Sequence, residues 1–398
     1  MHSSHQVVII GGGNAGISVA AQLLRKNSHL DIAIIDPSEK HYYQPAWTMV
    51  GGGFYDINDT VKDEAEVIPE GVRWIKETVS SFQPEENAIT LISGSSINYA
   101  YLVVAPGIQL NWNEIKGLEE NIGKNGVCSN YSFKTAPYTF ECLKNSTSGR
   151  AIFTSPHTPV KCGGAPQKIM YIAADYFKKH HLSNKIQCEF WSGGTKLFGV
   201  KKFEDALKKV IAKFNIKENY YNKLVEIDGA NKRAKFVGFG EQNKEVETWV
   251  DYEMLHVTPP QSAPDFIKNS VLANSAGWVD VDKHSLQHVK YANIFSLGDA
   301  SSLPTGKTGA AIRKQAPVLV ENLLSLMYNQ KLDANYNGYS SCPLITGRGK
   351  LILAEFDYDN NPQETFPFNQ AKERWSMFIL KRYILPYLYW TKILKGKM

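Results

Sequence analysis

The chain has 398 residues, a formal net charge of +5 and 43% hydrophobic residues, enough for two cores and an appendage, without the composition of a disordered or fibrous protein. Its lysines are scattered rather than gathered into one run, which argues against a nucleic-acid partner and leaves an anionic membrane surface or a small anionic substrate open. Five cysteines, at 128, 142, 162, 188 and 342, are too few and too far apart for a stapled secreted fold or a Cys-x-x-Cys site, and no histidine arrangement suggests a metal.

The N-terminus is polar for six residues and then enters a strand, which leaves no room for a signal peptide. No apolar run approaches the roughly 18 residues of a membrane-spanning helix. The expectation is a globular chain made in the cytoplasm.

In chain order, the apolar strand Gln6 to Ile10 runs into Gly11, Gly12, Gly13, Asn14, Ala15 and Gly16, a G-x-G-x-x-G turn that opens a helix over Ile17 to Leu24. A second strand, Asp31 to Ile35, ends at Asp36. Glycines let the backbone approach a pyrophosphate, the helix N-terminus favours its charge, and the carboxylate suits ribose hydroxyls, so the segment predicts bound FAD or NAD. Farther on, Tyr101 to Gly107 (YLVVAPG) reads as the strand that closes such a domain.

The apolar run Ala151 to Phe153 leads into TSPHTPVKCGGAPQK, residues 154 to 168, followed by helical periodicity through Phe177. Cys162 therefore lies on a strand-to-helix turn, beside Lys161 and ahead of Gly163 and Gly164, where a thiolate would be stabilised. It is read either as a redox or nucleophilic thiol or as a small buried hydrophobe. His157 precedes it as a candidate for handling a proton, with a plain turn residue as the other reading. Cys142 and Cys188 are read as core.

Near the C-terminal side, the short strand Ile294 to Leu297 ends in Gly298 and Asp299, and a helix follows over about Thr308 to Leu326. Two-dinucleotide flavoproteins have this pattern, with the Asp on the flavin's ribityl chain and the helix aimed at the ring, which favours FAD. Such enzymes normally carry a second G-x-G-x-x-G for a nicotinamide nucleotide; here Pro159 to Pro166, with Cys162, stands in its place. Electrons are thus expected to reach the flavin through sulfur. Cys342, in Tyr339 to Gly347 (YSSCPLITG), is the best candidate for a second cysteine.

These segments, together with His41 to Thr48, Phe198 to Lys202, Tyr252 to Pro260, Ala276 to Asp282 and Ala354 to Tyr358, resemble the sulfide:quinone oxidoreductases of the mitochondrial-like type, in the disulfide oxidoreductase flavoprotein superfamily. The resemblance implies an α/β fold with two Rossmann-like dinucleotide-binding domains of the glutathione reductase type and a C-terminal amphipathic membrane-interface segment. Residues 1–110 and 291–330 would form the FAD domain, 111–290 the second Rossmann-like domain, and 331–398 the C-terminal part. FAD would be held without a covalent bond by Gly11, Gly13, Asn14, Ala15, Gly16, Asp36, Gln44, Gly107, Asp299, Lys307 and Thr308.

For mechanism, the resemblance implies that Cys162 and Cys342 form a redox-active disulfide or a sulfur-bridged form of it. Hydrosulfide attacks Cys342, leaving a persulfide and releasing Cys162 as a thiolate that passes electrons to the flavin. The sulfane sulfur goes to sulfite, glutathione or another sulfide, and the electrons go to ubiquinone or menaquinone. Lys161 and Lys168 would supply the positive surrounding of the thiolate. Cys128 is a possible third cysteine, read as non-essential. Lys307 and Lys381 would stabilise charge on reduced flavin or a quinone oxygen, Lys381 alternatively serving as an interfacial anchor.

From Ala371 the tail interleaves aromatic and apolar residues, Phe378 among them as a quinone contact, with Lys381, Arg382, Lys392, Lys395 and Lys397. Broken at Pro386, it reads as two short helices in a membrane interface, which implies peripheral association, expected on the cytoplasmic side. A core or dimer helix pair is the other reading, and a homo-oligomer is allowed. Alternatives for function are a type II NADH:quinone oxidoreductase-like flavoenzyme and a non-catalytic flavin-binding protein.

Overall fold

The computed structural model describes residues 3–239 and 245–398. Its first sheet has seven strands and follows from the continuous apolar runs noted above. Ser3–Ile10 pairs in parallel with Ile32–Ile35 on one side and Ser96–Val104 on the other. Val72–Ile75 extends one edge in parallel, Ile294–Ser296 joins Ser96–Val104 in parallel, and Ala88–Leu91 and Val79–Gln83 complete the other edge antiparallel. Val7 to Ile10 and Ile32 to Ile35 are all buried, as strands covered on both faces must be. Because the chain leaves Ser3–Ile10 toward one neighbour and returns on the other side, a crevice opens at its carboxyl end, where the glycine turn lies.

The second sheet is wholly parallel, in the order Val127–Cys128, Met254–His256, Gly149–Ser155, Ile186–Ser192, Lys217–Asn219. A three-stranded antiparallel sheet, Asn222–Asp228, Arg233–Phe239 and Glu245–Asp251, stands beside it. The expected α/β architecture with two dinucleotide-type sheets is thus observed. Helix Ala165–Lys179 follows Gly149–Ser155 through the Cys162 turn and is buried all round from Pro166 to Asp175. Against it packs the hairpin Ser340–Gly347 and Lys350–Phe356, with Cys342 opposite Ala354.

The tail departs from expectation. Trp375 to Ile393 is one uninterrupted helical run, α over Trp375–Ile379 and Leu385–Leu388, with wider five-residue turns over Leu380–Ile384 and Tyr389–Ile393. Pro386 does not break it: proline falls in the first turn of Leu385–Leu388, and the wider turns before and after absorb the missing N–H and the ring. One face is buried through Met377, Phe378, Lys381, Pro386 and Tyr389, while Trp375 (68% exposed), Tyr383 (59%) and Tyr387 (62%) lie on the other. The run ends against the first helix, where Gln22 Nε2 donates to the Met398 carbonyl at 3.3 Å. No helix among the described residues is long and apolar enough to cross a membrane.

Candidate active site

The glycine turn is open where a ligand would approach and tight where the chain closes on itself. Gly11 has φ +102°, and a Cβ there would lie 2.4 Å from the Ala105 carbonyl oxygen, whereas one on Gly13 would meet nothing within 4 Å. Gly13 caps helix Asn14–Lys26 without a side chain, and no acidic residue occupies the first turn, so the N–H groups of Asn14, Ala15 and Gly16 remain available to an anion. Asp36 accepts from the Gly12 N–H at 2.6 Å and the Ser38 N–H at 2.7 Å, which orients its carboxylate at the rim and leaves lone-pair directions for hydroxyl donors. Gly107 (φ +81°) likewise has open space around it. This uncapped, glycine-lined helix start fits the pyrophosphate of FAD.

Asp299 follows Ile294–Ser296 in a tight turn and is flanked by the ammonium groups of Lys161 and Lys307; burial lifts its carboxyl and the two lysines pull it back. Lys307 is not a solvated loop charge. Its Nζ donates to the Asp299 carbonyl at 2.7 Å and the Ser301 carbonyl at 3.1 Å and lies 3.8 Å from the Trp278 ring centroid, and burial pushes it down to about 8 against Asp299. Thr308 is the N-cap of helix Gly309–Met327, its hydroxyl accepting from the Ala311 N–H at 3.1 Å and bonded to Ser340 Oγ at 3.0 Å. The first of these bonds uses a lone pair, so any bond to a ring must use the hydroxyl proton or the remaining one.

Cys162 and Cys342, 180 positions apart, have their sulfurs at 3.6 Å. Cys162 sits at φ +54°, in the left-handed region where a side chain is strained, and the turn is held there by its N–H on the Lys307 carbonyl and the Ala165 N–H on its own carbonyl, both at 2.7 Å. Gly164 makes the close approach feasible: a Cβ there would stand 2.5 Å from Cys342 Sγ and 2.6 Å from Leu344 Cδ2. Lys168, one turn into the helix and buried, donates from Nζ to Cys162 Sγ at 2.9 Å.

The two sulfurs differ electrostatically. The hydrogen bond from Cys342 pulls the Cys162 thiol well below its ordinary range, against burial, and Lys168 and Lys381 add to the pull. The same bond, with burial, pushes Cys342 well above that range. Burial opposes the Lys168 ammonium, but the charge of the two sulfurs raises it overall. Lys161 does not join this group. Its Nζ donates to Gln44 Oε1 at 2.7 Å, and burial lowers it to about 8 while Asp299 opposes.

Lys381 is buried (4% exposed), so the interfacial-anchor reading fails: its helix face turns inward. Burial first, then Lys168, brings it down to about 7 against the pull of the two cysteines, and its Nζ lies 5.8 Å from the Tyr43 ring centroid. Phe378 is buried with its ring 5.7 Å from that of Phe54. His157 is exposed and lines a cleft of ≈ 220 Å³ with Ser155, Lys223 and Thr258 rather than touching sulfur. Cys128 is fully buried, its thiol donating to the Leu255 carbonyl at 3.6 Å and raised by burial and by Cys142. No group of side chains among the described residues could hold a metal ion.

Sequence reading missed Tyr131, a buried phenol whose hydroxyl lacks a partner and which feels the charge of Cys162 and Cys342. It missed His41, Glu64 and Tyr389 as a group as well. Tyr131 stands three residues after Cys128, but nothing local marks it, because its neighbours come from other strands.

Comparison with known proteins bears on this arrangement. Residues 5–136 match the family model of pyridine nucleotide-disulphide oxidoreductases. The chain is 48% identical to the mitochondrial sulfide:quinone oxidoreductase of Dictyostelium discoideum, over 98% of this chain and 86% of that protein. It is 46% identical to the mouse (Mus musculus) mitochondrial sulfide:quinone oxidoreductase, over 98% and 87%. Among solved structures, the sulfide:quinone oxidoreductase of Aquifex aeolicus superposes with a TM-score of 0.80 at 21% identity, covering 99% of this chain and 92% of that one, a likeness of fold.

Proposed function

The chain belongs to the sulfide:quinone oxidoreductase family, and from that premise we propose that Cys162 and Cys342 are its sulfide-oxidising pair. It is an FAD-dependent enzyme that oxidises sulfide with quinone as the electron acceptor. The observation that carries the proposal is the 3.6 Å separation of the two sulfurs with the Lys168 ammonium 2.9 Å from one of them.

In the oxidised pair, hydrosulfide attacks Cys342 Sγ; one S–S bond forms, the Cys342–Cys162 bond breaks, and the electron pair leaves on Cys162. Exchange is fastest toward the leaving thiol of lower pKa, and the Lys168 ammonium, 2.9 Å from Cys162 Sγ and lowering its thiol, favours Cys162 as the one that leaves. FAD, when bound, supplies the two-electron acceptor between sulfur and quinone. Gly13, Asn14, Ala15 and Gly16 would hold its pyrophosphate, Asp36 its ribose, Asp299 its ribityl chain, and Gln44, Gly107, Lys307 and Thr308 the remainder. The sulfane sulfur then leaves Cys342 for a nucleophile of the sulfite, glutathione or sulfide class, and the pair closes again.

Quinone is proposed to enter beside Phe378 and Lys381, whose inward-facing side chains stand on the same run that exposes Trp375, Tyr383 and Tyr387. Those exposed rings beside lysines support peripheral seating in a membrane interface. The test is a flavin spectrum during anaerobic sulfide addition to wild type and Cys162→Ala. Bleaching of the first and none of the second is expected; reduction of the alanine variant at the normal rate, or bleaching of wild type by NADH instead, would overturn the assignment.

A further inference from the structure

Between the glycine turn and the C-terminal run lie three buried titratable side chains that the sulfur chemistry does not use. Glu64 opens the short helix Glu64–Val67, His41 lies in the strand Lys40–Tyr42, and Tyr389 begins the last wide turn of the tail; all three are buried. His41 Nδ1 faces two acceptors, the Gly12 carbonyl at 3.1 Å and Glu64 Oε2 at 3.2 Å, so that nitrogen carries the hydrogen. In the neutral ring Nε2 then offers a lone pair, and it accepts from the Tyr389 hydroxyl at 2.6 Å. Glu64 Oε1 has no partner. The Tyr389 ring packs on that of Tyr43, centroids 4.7 Å apart, and the Lys381 ammonium lies across the same Tyr43 ring. Tyr389 and Lys381 thus share the Tyr43 ring as a common neighbour.

We propose that Tyr389, His41 and Glu64 form a proton relay to the quinone, with Tyr389 as donor and His41 and Glu64 as the positioning residues that recharge it. The relay rests on the reading that quinone sits beside the C-terminal run. Reduction of a quinone to its quinol takes two electrons, which come from the reduced cofactor, and two protons. In the loaded relay His41 is an imidazolium between the Glu64 carboxylate and the Tyr389 oxygen, which frees the phenolic hydrogen to point outward. The Tyr389 O–H bond breaks as a quinone O–H bond forms, and His41 Nε2 returns a proton to the tyrosine oxygen. This leaves the neutral imidazole accepting from Tyr389 that is observed. A proton from water restores the imidazolium, and a second passage completes the quinol. The Glu64 charge offsets the cost of burying that cation.

The experiment is stopped-flow spectroscopy of the flavin in the holoenzyme, with its two half-reactions measured separately. Tyr389→Phe keeps the ring against Tyr43 and removes only the hydroxyl; Glu64→Gln keeps an acceptor for His41 Nδ1 and removes the charge. In both variants sulfide is expected to reduce the flavin at the wild-type rate. Decylubiquinone is expected to reoxidise it about 10²-fold or more slowly, the scale of lost general acid catalysis, while ferricyanide, which needs no proton, does so at the wild-type rate. Wild type should show a solvent deuterium isotope effect with the quinone and none with ferricyanide. A Tyr389→Phe enzyme reoxidised normally by the quinone, or slowed equally with ferricyanide, overturns the relay. Phe378→Leu tests the quinone's position alone. A raised quinone KM there, with normal Tyr389→Phe turnover, sinks the relay and keeps the position; no change in either sinks both.

Discussion

The two larger sheets place a parallel strand, a turn and a helix in the same arrangement and use it for opposite ends. After Ser3–Ile10 the turn leaves space: Gly13 has no neighbour where a side chain would stand, and the helix start is uncapped. After Gly149–Ser155 the turn is filled from within the chain, because Cys342 Sγ and Leu344 occupy the place where a side chain on Gly164 would go. One turn presents backbone N–H groups to a ligand that arrives from outside. The other presents a thiol to a second thiol that the fold itself delivers, so a helix N-terminus in a topological crevice need not imply a nucleotide.

The largest expected break in this comparison is chemical. Cys342→Ser should lower the rate of flavin reduction by sulfide by roughly 10³-fold or more while FAD stays bound, because a serine hydroxyl cannot form the S–S bond; anaerobic stopped-flow and flavin content check both halves. Gly164→Ala comes next. The added methyl must displace Cys342 or Leu344, at a cost of about 1–3 kcal/mol, and sulfide reduction should fall about 100-fold, since misplacement by an ångström has that scale; thermal unfolding and the same kinetics measure it.

Lys168→Met should act through protonation. Cys162 has its thiol depressed in the folded protein, so its thiolate persists below the ordinary thiol range. Without the ammonium the thiol titrates higher, and the pH profile of sulfide reduction should move to higher pH by about one to two units; a profile that stays in place would remove Lys168 from the mechanism. Gly13→Ala sharpens the contrast from the other side. Stability without cofactor should change by less than about 0.5 kcal/mol, while FAD affinity falls about tenfold, read by titration of the apoprotein, because a methyl fills the approach and not the core. The smallest effect belongs to the tail: Tyr387→Ser, on an exposed ring, should leave turnover with a soluble quinone analogue unchanged and weaken binding to anionic vesicles about fivefold, read by co-sedimentation.

Much of this was legible before any coordinates. The first strand with its glycine turn, the second strand ending at Asp36, the Gly298–Asp299 turn before its helix, and the Cys162 turn are each set by residues within a few positions of one another. The tail's basic and aromatic mixture was legible for the same reason, but not its continuity through Pro386, since the compensating wide turns have no signature of their own. Lys161 adjoins Cys162 in sequence and pairs with Gln44, while Lys168, six positions on, reaches the sulfur. Helix geometry brings Lys168 back over the turn that Lys161 points away from.

By itself, then, the sequence determined the class of fold and singled out the glycine turn and the two cysteine segments as candidates, because backbone conformation, phosphate approach and thiol chemistry are properties of short stretches. Tertiary structure alone decided that Cys342 meets Cys162, that Gly164 makes room for it, which lysine faces the sulfur, and that Glu64, His41 and Tyr389 line up across 348 positions from His41 to Tyr389. Those are contacts between faces of separate elements. Their partners are chosen by how whole surfaces pack, a quantity that no local window of residues contains.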